Sequence, residues 1–216
     1  MVNLLRLYLV TDRISIGKRL LADVVAAAVQ GGVTCVQLRE KHLGTRDFVA
    51  QAMALKELLL PYGIPLVIND RIDVALACGA QGVHLGQSDM SAAQARRLLP
   101  PGTLMGWSVE TMQDVAASAL QDVDYLGVSP IYTTPTKTDT LQPWGLQGLR
   151  EVRSCTALPL VAIGGIHAGN AGAVMAAGAD GLAVVSALCA APDPRLAAAA
   201  LRRIVDSASS SAGGQR

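Results

Sequence analysis

Residues 65–89, PLVINDRIDVALACGAQGVHLGQSD, contain one complete strand–helix–strand unit. The short apolar runs at 66–68 and 83–85 are typical of strands buried on both faces of a parallel sheet. The segment 71–78 between them predicts a helix. Asp70 and Asp89 each follow one of these strands. Because neighbouring parallel strands end at the same edge of a sheet, the unit predicts two carboxylates close together.

The same alternation of strand and helix continues in both directions from this unit. Strands are predicted at residues 5–10, 34–38, 66–68, 83–85, 104–109, 125–128, 160–163 and 181–185, and helices at 20–30, 45–62, 71–78, 91–99, 111–120, 145–154, 170–177 and 194–207. Strict alternation is typical of a parallel α/β sheet. Eight units predict a single closed (β/α)8 TIM barrel, at the short end of its size range. An open doubly wound sheet is the alternative.

This barrel is predicted to be one catalytic domain over residues 1–207. Residues 208–216, which are rich in Ser and Gly, have nothing to bury and predict a disordered tail. The chain has 216 residues, of which 51% are hydrophobic and only 3% aromatic. That composition suits small-residue packing of helices on a sheet.

Charge and hydropathy exclude several classes of partner. A formal net charge of +1 provides no field that would attract nucleic acid or an acidic membrane surface. The apolar region 157–191 is interrupted by glycine and polar residues too often for a spanning helix, and the start lacks the layout of a signal peptide. We therefore expect a cytoplasmic protein. The oligomeric state stays open, with a homodimer as one candidate.

The cysteines Cys35, Cys78, Cys155 and Cys189 are far apart and have no metal-like spacing. They are interpreted as small hydrophobic residues in a reducing compartment. Among the histidines, His84 lies between apolar neighbours and is interpreted as a core or strand residue, whereas His42 and His167 are expected in loops.

Asp70 and Asp89 predict a metal site at the edge where their strands end. Two converging carboxylates with little compensating charge suit a hard divalent cation such as magnesium, which usually shares its other positions with water and substrate phosphates. The alternative is that each carboxylate caps the helix that follows it.

The loops after the strands of such a barrel carry its chemistry. Alternation along the second strand places Gln37, Arg39 and Lys41 on the inner side. The remaining strand ends and loops contribute Asn69, Ser108, Thr134, Thr136 and Lys137. The cations suit a magnesium-bound polyphosphate, although a solvated charged loop is the alternative for Arg39 and Lys41.

Strands seven and eight predict a second phosphate site. Loops after these two strands often bind phosphate in this fold, and glycine lets backbone N–H groups approach an oxyanion closely. Gly164–Gly165, Val185 and Ser186 occupy these positions. A plain tight turn is the alternative for the glycine pair.

These residues carry a resemblance to a known family. The stretches QLREK (37–41), INDR (68–71), GVHLGQSD (82–89), GWSV (106–109), PIY (130–132) leading to TK (136–137), AIGGI (162–166) and VVS (184–186) follow one another in order. In these stretches the chain resembles the thiamine phosphate synthase family. Ser129 and Thr133 depart from its pattern, which often has glycine and proline there.

The resemblance implies a reaction and a role for each matching residue. The family joins hydroxymethylpyrimidine diphosphate to thiazole phosphate, giving thiamine phosphate and diphosphate. The implied pyrimidine diphosphate contacts are Gln37, Leu38, Arg39, Glu40, Lys41, Asn69, Ser108 and Lys137. Thr134, Pro135, Thr136, Gly165, Val185 and Ser186 are implied to hold the thiazole phosphate, and Asp70 and Asp89 to hold Mg²⁺. Arg39, Ser108 and Lys137 are the predicted catalytic residues.

The chemistry favours a dissociative displacement. Loss of diphosphate leaves a cation that the electron-rich aminopyrimidine stabilises, and the neutral thiazole nitrogen then attacks. No side chain must remove a proton, so the enzyme has to position the reactants and stabilise the leaving group. Two rival hypotheses are a thiazole tautomerase on the same barrel and a non-catalytic regulator that binds thiamine phosphate.

Overall fold

The computed structural model describes residues 2–118, 122–134 and 142–212, and for 209–212 the backbone alone. Within these ranges, eight parallel strands close into a barrel in chain order, with β1 hydrogen-bonded to both β2 and β8. The strands are β1 (Leu7–Val10), β2 (Cys35–Leu38), β3 (Leu66–Asn69), β4 (Gly82–Leu85), β5 (Leu104–Val109), β6 (Tyr125–Val128), β7 (Leu160–Ile163) and β8 (Gly181–Val184). The predicted (β/α)8 barrel is confirmed, and the open doubly wound sheet is wrong.

The helices surround the barrel and follow the predicted order. They are α1 (Val2–Leu5), α2 (Arg13–Ile16), α3 (Leu21–Gln30), α4 (Thr45–Leu59), α5 (Ile72–Cys78), α6 (Ala92–Leu98), α7 (Met112–Ser118), α8 (Gly145–Cys155), α9 (Ala171–Ala176), α10 (Ser186–Cys189) and α11 (Pro194–Ala212), with a 3₁₀ turn at Leu60–Tyr62. The short helices α1, α2 and α10 were not predicted, because four residues carry no periodicity.

The last helix extends further than the sequence suggested. Its backbone stays helical to Ala212, so residues 208–212, which were assigned to a disordered tail, belong to α11. Serine and alanine have moderate to high helix propensity and can prolong a helix whose earlier turns are already packed. The remaining tail residues, 213–216, lie outside the described ranges.

Alternation along the strands divides the core into two layers. Outward-facing side chains such as Leu7, Leu9 and Leu38 pack against the helices. Inward-facing side chains such as Tyr8 and Tyr125 fill the barrel interior together with Leu5, Val10, Cys35, Val67, Leu104, Val161 and Ala183. The inward residues nearest the carboxyl ends of the strands therefore form the floor of whatever site lies above them.

Three of the four cysteines are buried, as the sequence predicted. Cys35, Cys78 and Cys189 are buried and free, whereas Cys155 is exposed. In the described part of the chain, no helix has the length and apolarity required to cross a membrane.

Gly181 marks a place where the barrel tolerates no side chain. A Cβ atom there would stand 1.9 Å from the backbone oxygen of Leu5. We expect Gly181→Ala to lower the free energy of unfolding by about 1–3 kcal/mol or more, as overpacking does. Gly172→Ala, a change within α9, is the matched control. The new Cβ would make an ordinary 3.7 Å contact with Ile204. That change should raise stability by about 0.4–1 kcal/mol. Urea denaturation measures both, and equal effects would contradict this packing.

Candidate active site

The carboxyl ends of the strands open into one cavity of about 340 Å³. Twelve of the residues predicted for the site line it: Gln37, Arg39, Lys41, Asn69, Asp70, Asp89, Ser108, Thr134, Gly164, Gly165, Val185 and Ser186. They come from the carboxyl-terminal ends of seven different strands, β2 to β8, and from the loops that follow them. The fold therefore brings together side chains that the sequence keeps up to 149 positions apart, the separation of Gln37 from Ser186.

Asp70 sits directly after β3 in a left-handed backbone conformation, with φ of 62°. Its N–H donates to the backbone oxygen of His84, which ties the end of β3 to β4. A left-handed conformation at a residue other than glycine costs of order 1–3 kcal/mol and is concentrated at functional sites. In this protein the left-handed residue is Asp70 itself, whose carboxylate lines the cavity.

Asp89 lies beside Asp70 in the same cavity. Its Oδ2 accepts a hydrogen bond of 2.7 Å from the N–H of Gly86, which closes the turn after β4. Burial raises the pKa of the Asp89 carboxyl above its usual value, and the neighbouring Asp70 carboxyl raises it further, against the N–H of Gly86 and the Lys41 ammonium. The two acids thus form a crowded pair that a cation would stabilise.

The alternative role of these acids as helix caps is wrong. Helix α5 begins after Arg71 with no side-chain cap. Helix α6 is capped by Ser91, whose hydroxyl accepts from the N–H of Gln94. Asp89 closes a turn instead, and Asp70 accepts from Lys41, so both carboxylates serve the cavity.

The cations of the β2 loop line the same cavity, and Lys41 contacts one of these two acids. Lys41 Nζ lies 2.5 Å from Asp70 Oδ2, although the lysine side chain remains 47% exposed. The Arg39 guanidinium lies 3.9 Å from Asp12 Oδ1, and the backbone N–H of Arg39 donates to the Thr11 hydroxyl. Both cations are therefore anchored at the mouth, which argues against a merely solvated loop.

The opposite side of the cavity is formed by the ends of β7 and β8. Gly164 and Gly165 both have positive φ, 106° and 64°. The carbonyl of Gly165 accepts a hydrogen bond from the side-chain amide of Asn170. Asn170 was not predicted as a site residue. Ser186 opens α10 immediately after Val185. Glycine backbone and a serine hydroxyl together provide small, polar walls suited to an oxyanion.

The cavity floor carries polar groups that sequence reasoning missed. Tyr8, His84 and Tyr125 line it, and His84 binds both the Tyr125 hydroxyl and the Ser108 hydroxyl. His84 is a strand residue of β4, as one of the two interpretations had it, but its side chain lines the cavity and does not pack in the core. Its apolar neighbours Val83 and Leu85 point outward to the helices. Strand alternation alone places a residue between two outward ones inside the barrel.

Two predicted contacts do not line the cavity. Leu38 is fully buried in the layer between barrel and helices, on the other face of β2 from Gln37. Glu40 lies outside the lining, and burial raises the pKa of its carboxyl, against the opposing charge of Arg13. Strand alternation turns every second residue outward, and this explains why Leu38 does not line the cavity. The predicted residues Pro135, Thr136 and Lys137 lie outside the described ranges.

Gly165 offers a selective test of the glycine wall. A Cβ there would stand 2.8 Å from Tyr132 Cβ and 2.9 Å from the Thr133 carbonyl oxygen, in a conformation unfavourable for side chains. We expect Gly165→Val to raise the KM for the ligand phosphate at this wall by at least about tenfold, roughly one lost hydrogen bond to a charged group. The KM for the ligand at the Asp70–Asp89 side should change far less. An equal rise in both would contradict the assignment of the two walls to two ligands.

The chain is similar to known proteins over most of its length. The family model described as thiamine monophosphate synthase matches residues 7–188. A thiamine-phosphate synthase from Albidiferax ferrireducens is 76% identical over 202 residues, covering 94% of this chain and 92% of that protein. One from Vibrio parahaemolyticus is 50% identical over 205 residues, covering 95% and 100%. The solved structure of a thiamine phosphate pyrophosphorylase from Pyrococcus furiosus has a TM-score of 0.88 at 36% identity, covering 96% and 98%.

Proposed function

Because the chain belongs to the thiamine monophosphate synthase family, we propose that its cavity condenses hydroxymethylpyrimidine diphosphate with thiazole phosphate. The products are thiamine phosphate and diphosphate. The observation that carries the proposal is that one cavity has two unlike walls, one lined by cations and carboxylates and the other by glycine backbone and a serine hydroxyl. Arg39, Lys41 and the acidic pair form one wall, and Gly165 with Ser186 forms the other. A transferase that joins a diphosphate ester to a phosphate ester needs both.

Magnesium is the cation that we propose for the acidic pair. Among the described residues, no three His, Cys, Asp or Glu side chains gather into a self-sufficient metal site. The crowded pair Asp70–Asp89 nevertheless fits Mg²⁺, which binds through one or two carboxylates and takes its remaining ligands from water and substrate phosphates. When bound, the ion would neutralise charge on the diphosphate.

The protein's own groups position the reactants and receive the leaving group. Lys41 contacts the acidic pair through Asp70, and Arg39 lines the same cavity. We assign to both cations the negative charge that accumulates as the carbon–oxygen bond to diphosphate breaks. Groups fixed in advance where charge develops stabilise the transition state without reorganisation. The Gly165–Ser186 wall holds the second substrate so that its ring nitrogen, a neutral nucleophile, can attack the pyrimidine carbon. Stabilisation of the leaving group at one wall and positioning of the nucleophile at the other support a dissociative displacement.

The experiment that tests the function supplies both substrates with magnesium and follows the formation of thiamine phosphate. A thiazole tautomerase would instead act on a thiazole phosphate isomer without any pyrimidine, and it would need neither Asp70 nor Asp89. A regulator would bind thiamine phosphate with no turnover. Product formation that requires both substrates supports the transferase, and either other outcome overturns it.

We also propose that the protein acts in the cytoplasm on small molecules, without nucleic acid or a membrane surface. The near-zero net charge supports the absence of both partners. A homodimer is the proposed assembly, and analytical ultracentrifugation of the full chain tests it.

A further inference from the structure

Five side chains on the cavity floor form a continuous chain of hydrogen bonds. Gln37 Nε2 donates to the Tyr8 hydroxyl at 3.1 Å, and the Tyr8 and Tyr125 hydroxyls are 3.1 Å apart. The Tyr125 hydroxyl lies 3.0 Å from His84 Nδ1, and His84 Nε2 lies 2.9 Å from Ser108 Oγ. Gln37 and Ser108, both predicted to touch the substrate, are thus the two ends of one network.

Gly106 makes this network possible. The strand register places Gly106 directly between His84 on β4 and Tyr125 on β6, with all three facing the barrel interior. A Cβ at Gly106 would stand 2.4 Å from His84 Nδ1 and 2.4 Å from the Tyr125 hydroxyl. The missing side chain therefore leaves the space through which the histidine and the tyrosine meet.

The position of the Gln37 amide sets the direction of the chain. Because Gln37 donates to Tyr8, the proton of the Tyr8 hydroxyl goes to its best acceptor, which is the Tyr125 oxygen rather than the weaker thiol of Cys35 beside it. The Tyr125 proton then goes to His84 Nδ1. A neutral imidazole that accepts at Nδ1 carries its proton at Nε2, so it donates to Ser108 Oγ.

Both ends of the chain are fixed by this direction. Ser108 Oγ, which accepts from His84, keeps its own proton to donate into the cavity. Gln37, whose Nε2 is committed to Tyr8, keeps Oε1 as an acceptor, and in the described ranges no other side chain donates to that oxygen. One end therefore requires a donor from the ligand and the other requires an acceptor.

We propose that Tyr8, Tyr125 and His84 are positioning residues that select an aminopyrimidine, by holding Gln37 as an acceptor for its amino group and Ser108 as a donor to its ring nitrogen. The identity of the ligand rests on the proposed function, but the donor-to-acceptor direction of the hydrogen-bond network does not. A chain running the opposite way would exchange the two roles and favour a heterocycle with a carbonyl and a ring N–H.

The first test measures the tautomer of His84 in the full chain without any ligand. The sequence has three histidines, so ¹⁵N NMR of the ring nitrogens can be assigned by comparison with His84→Gln. We expect a neutral ring protonated at Nε2 at neutral pH. A ring protonated at Nδ1, or at both nitrogens, overturns the proposal whether or not the chain makes thiamine phosphate.

The second test breaks the hydrogen-bond network at Tyr125 by removing its hydroxyl. Tyr125→Phe should raise the KM for the pyrimidine diphosphate about tenfold, roughly one neutral hydrogen bond, while the KM for thiazole phosphate stays within about twofold. Tyr62→Phe is the matched control, since that tyrosine is exposed at the end of the 3₁₀ turn. A merely structural role would change both KM values together and would overturn the proposal.

A pyrimidine analogue separates recognition from folding without any mutation. The 4-oxo analogue of hydroxymethylpyrimidine replaces the amino donor with a carbonyl acceptor and the ring nitrogen with an N–H donor. The parent protein should bind it at least about tenfold more weakly than hydroxymethylpyrimidine in a calorimetric titration, because unpaired buried polar groups are costly. Equal or tighter binding of the 4-oxo analogue overturns the proposal, and binding of neither compound at millimolar concentration overturns both it and the proposed function.

Discussion

Asp89→Asn is expected to lower kcat by at least about a hundredfold, since charge stabilisation by a bound metal contributes several kcal/mol to such reactions. Asparagine is the sharper choice because its amide oxygen can still accept the 2.7 Å hydrogen bond from Gly86. The turn after β4 is then retained while one of the two carboxylates is lost. The expected loss thus reports on the charge at the proposed magnesium site and not on the shape of the loop.

Metal binding itself gives a second readout for the same variant. Magnesium with inorganic diphosphate should raise the melting temperature of the parent, because a ligand that binds only the folded state stabilises it. The shift should disappear in Asp89→Asn. Asp23→Asn, an exposed acid in the first turn of α3, is the control and should keep both activity and shift. Full turnover in excess chelator would contradict the role of Asp70 and Asp89.

Lys137→Ala is expected to lower kcat by about 10²–10³-fold while leaving thiazole phosphate binding intact. Negative charge grows on the diphosphate as its bond to carbon breaks, so a cation beside it stabilises the transition state more than the ground state. Losing one such electrostatic group typically costs about 3–4 kcal/mol. A solvated loop lysine would instead contribute about 1 kcal/mol or less. Lys137 lies outside the described residues, so its role rests on the family resemblance and on this chemistry.

The control for Lys137 is Lys18→Ala, which removes an exposed lysine after α2. Both variants are compared with both substrates saturating and with chemistry rate-limiting. A tautomerase releases no diphosphate and should barely respond to the loss of Lys137. A kcat for Lys137→Ala within a few-fold of the parent value would remove this lysine from the mechanism.

Strand alternation explains how much of the site could be read from the sequence. Gln37, Arg39 and Lys41 were placed inside by their spacing of two, and all three line the cavity. Leu38 and Glu40 entered the prediction only through a continuous motif. The structure follows the alternation instead, since neighbouring residues of a strand face opposite sides of the sheet.

The polar floor of the barrel could not be predicted in the same way. Tyr8 and Tyr125 are 117 positions apart, and their contact depends on strand register and on the space above Gly106. His84 looked apolar because its neighbours are apolar, although those neighbours pack outward. Registers and shared cavities are properties of the closed barrel, and local sequence patterns do not encode them directly.

One measurement tests the central claim most directly: the full chain is incubated with pyrimidine diphosphate, thiazole phosphate and magnesium, and both products are counted in the same samples over time. The proposed binding of one substrate at each wall predicts one thiamine phosphate for each diphosphate released, with no thiamine phosphate when either substrate is omitted. Persistent absence of thiamine phosphate, although both substrates bind, would contradict the account.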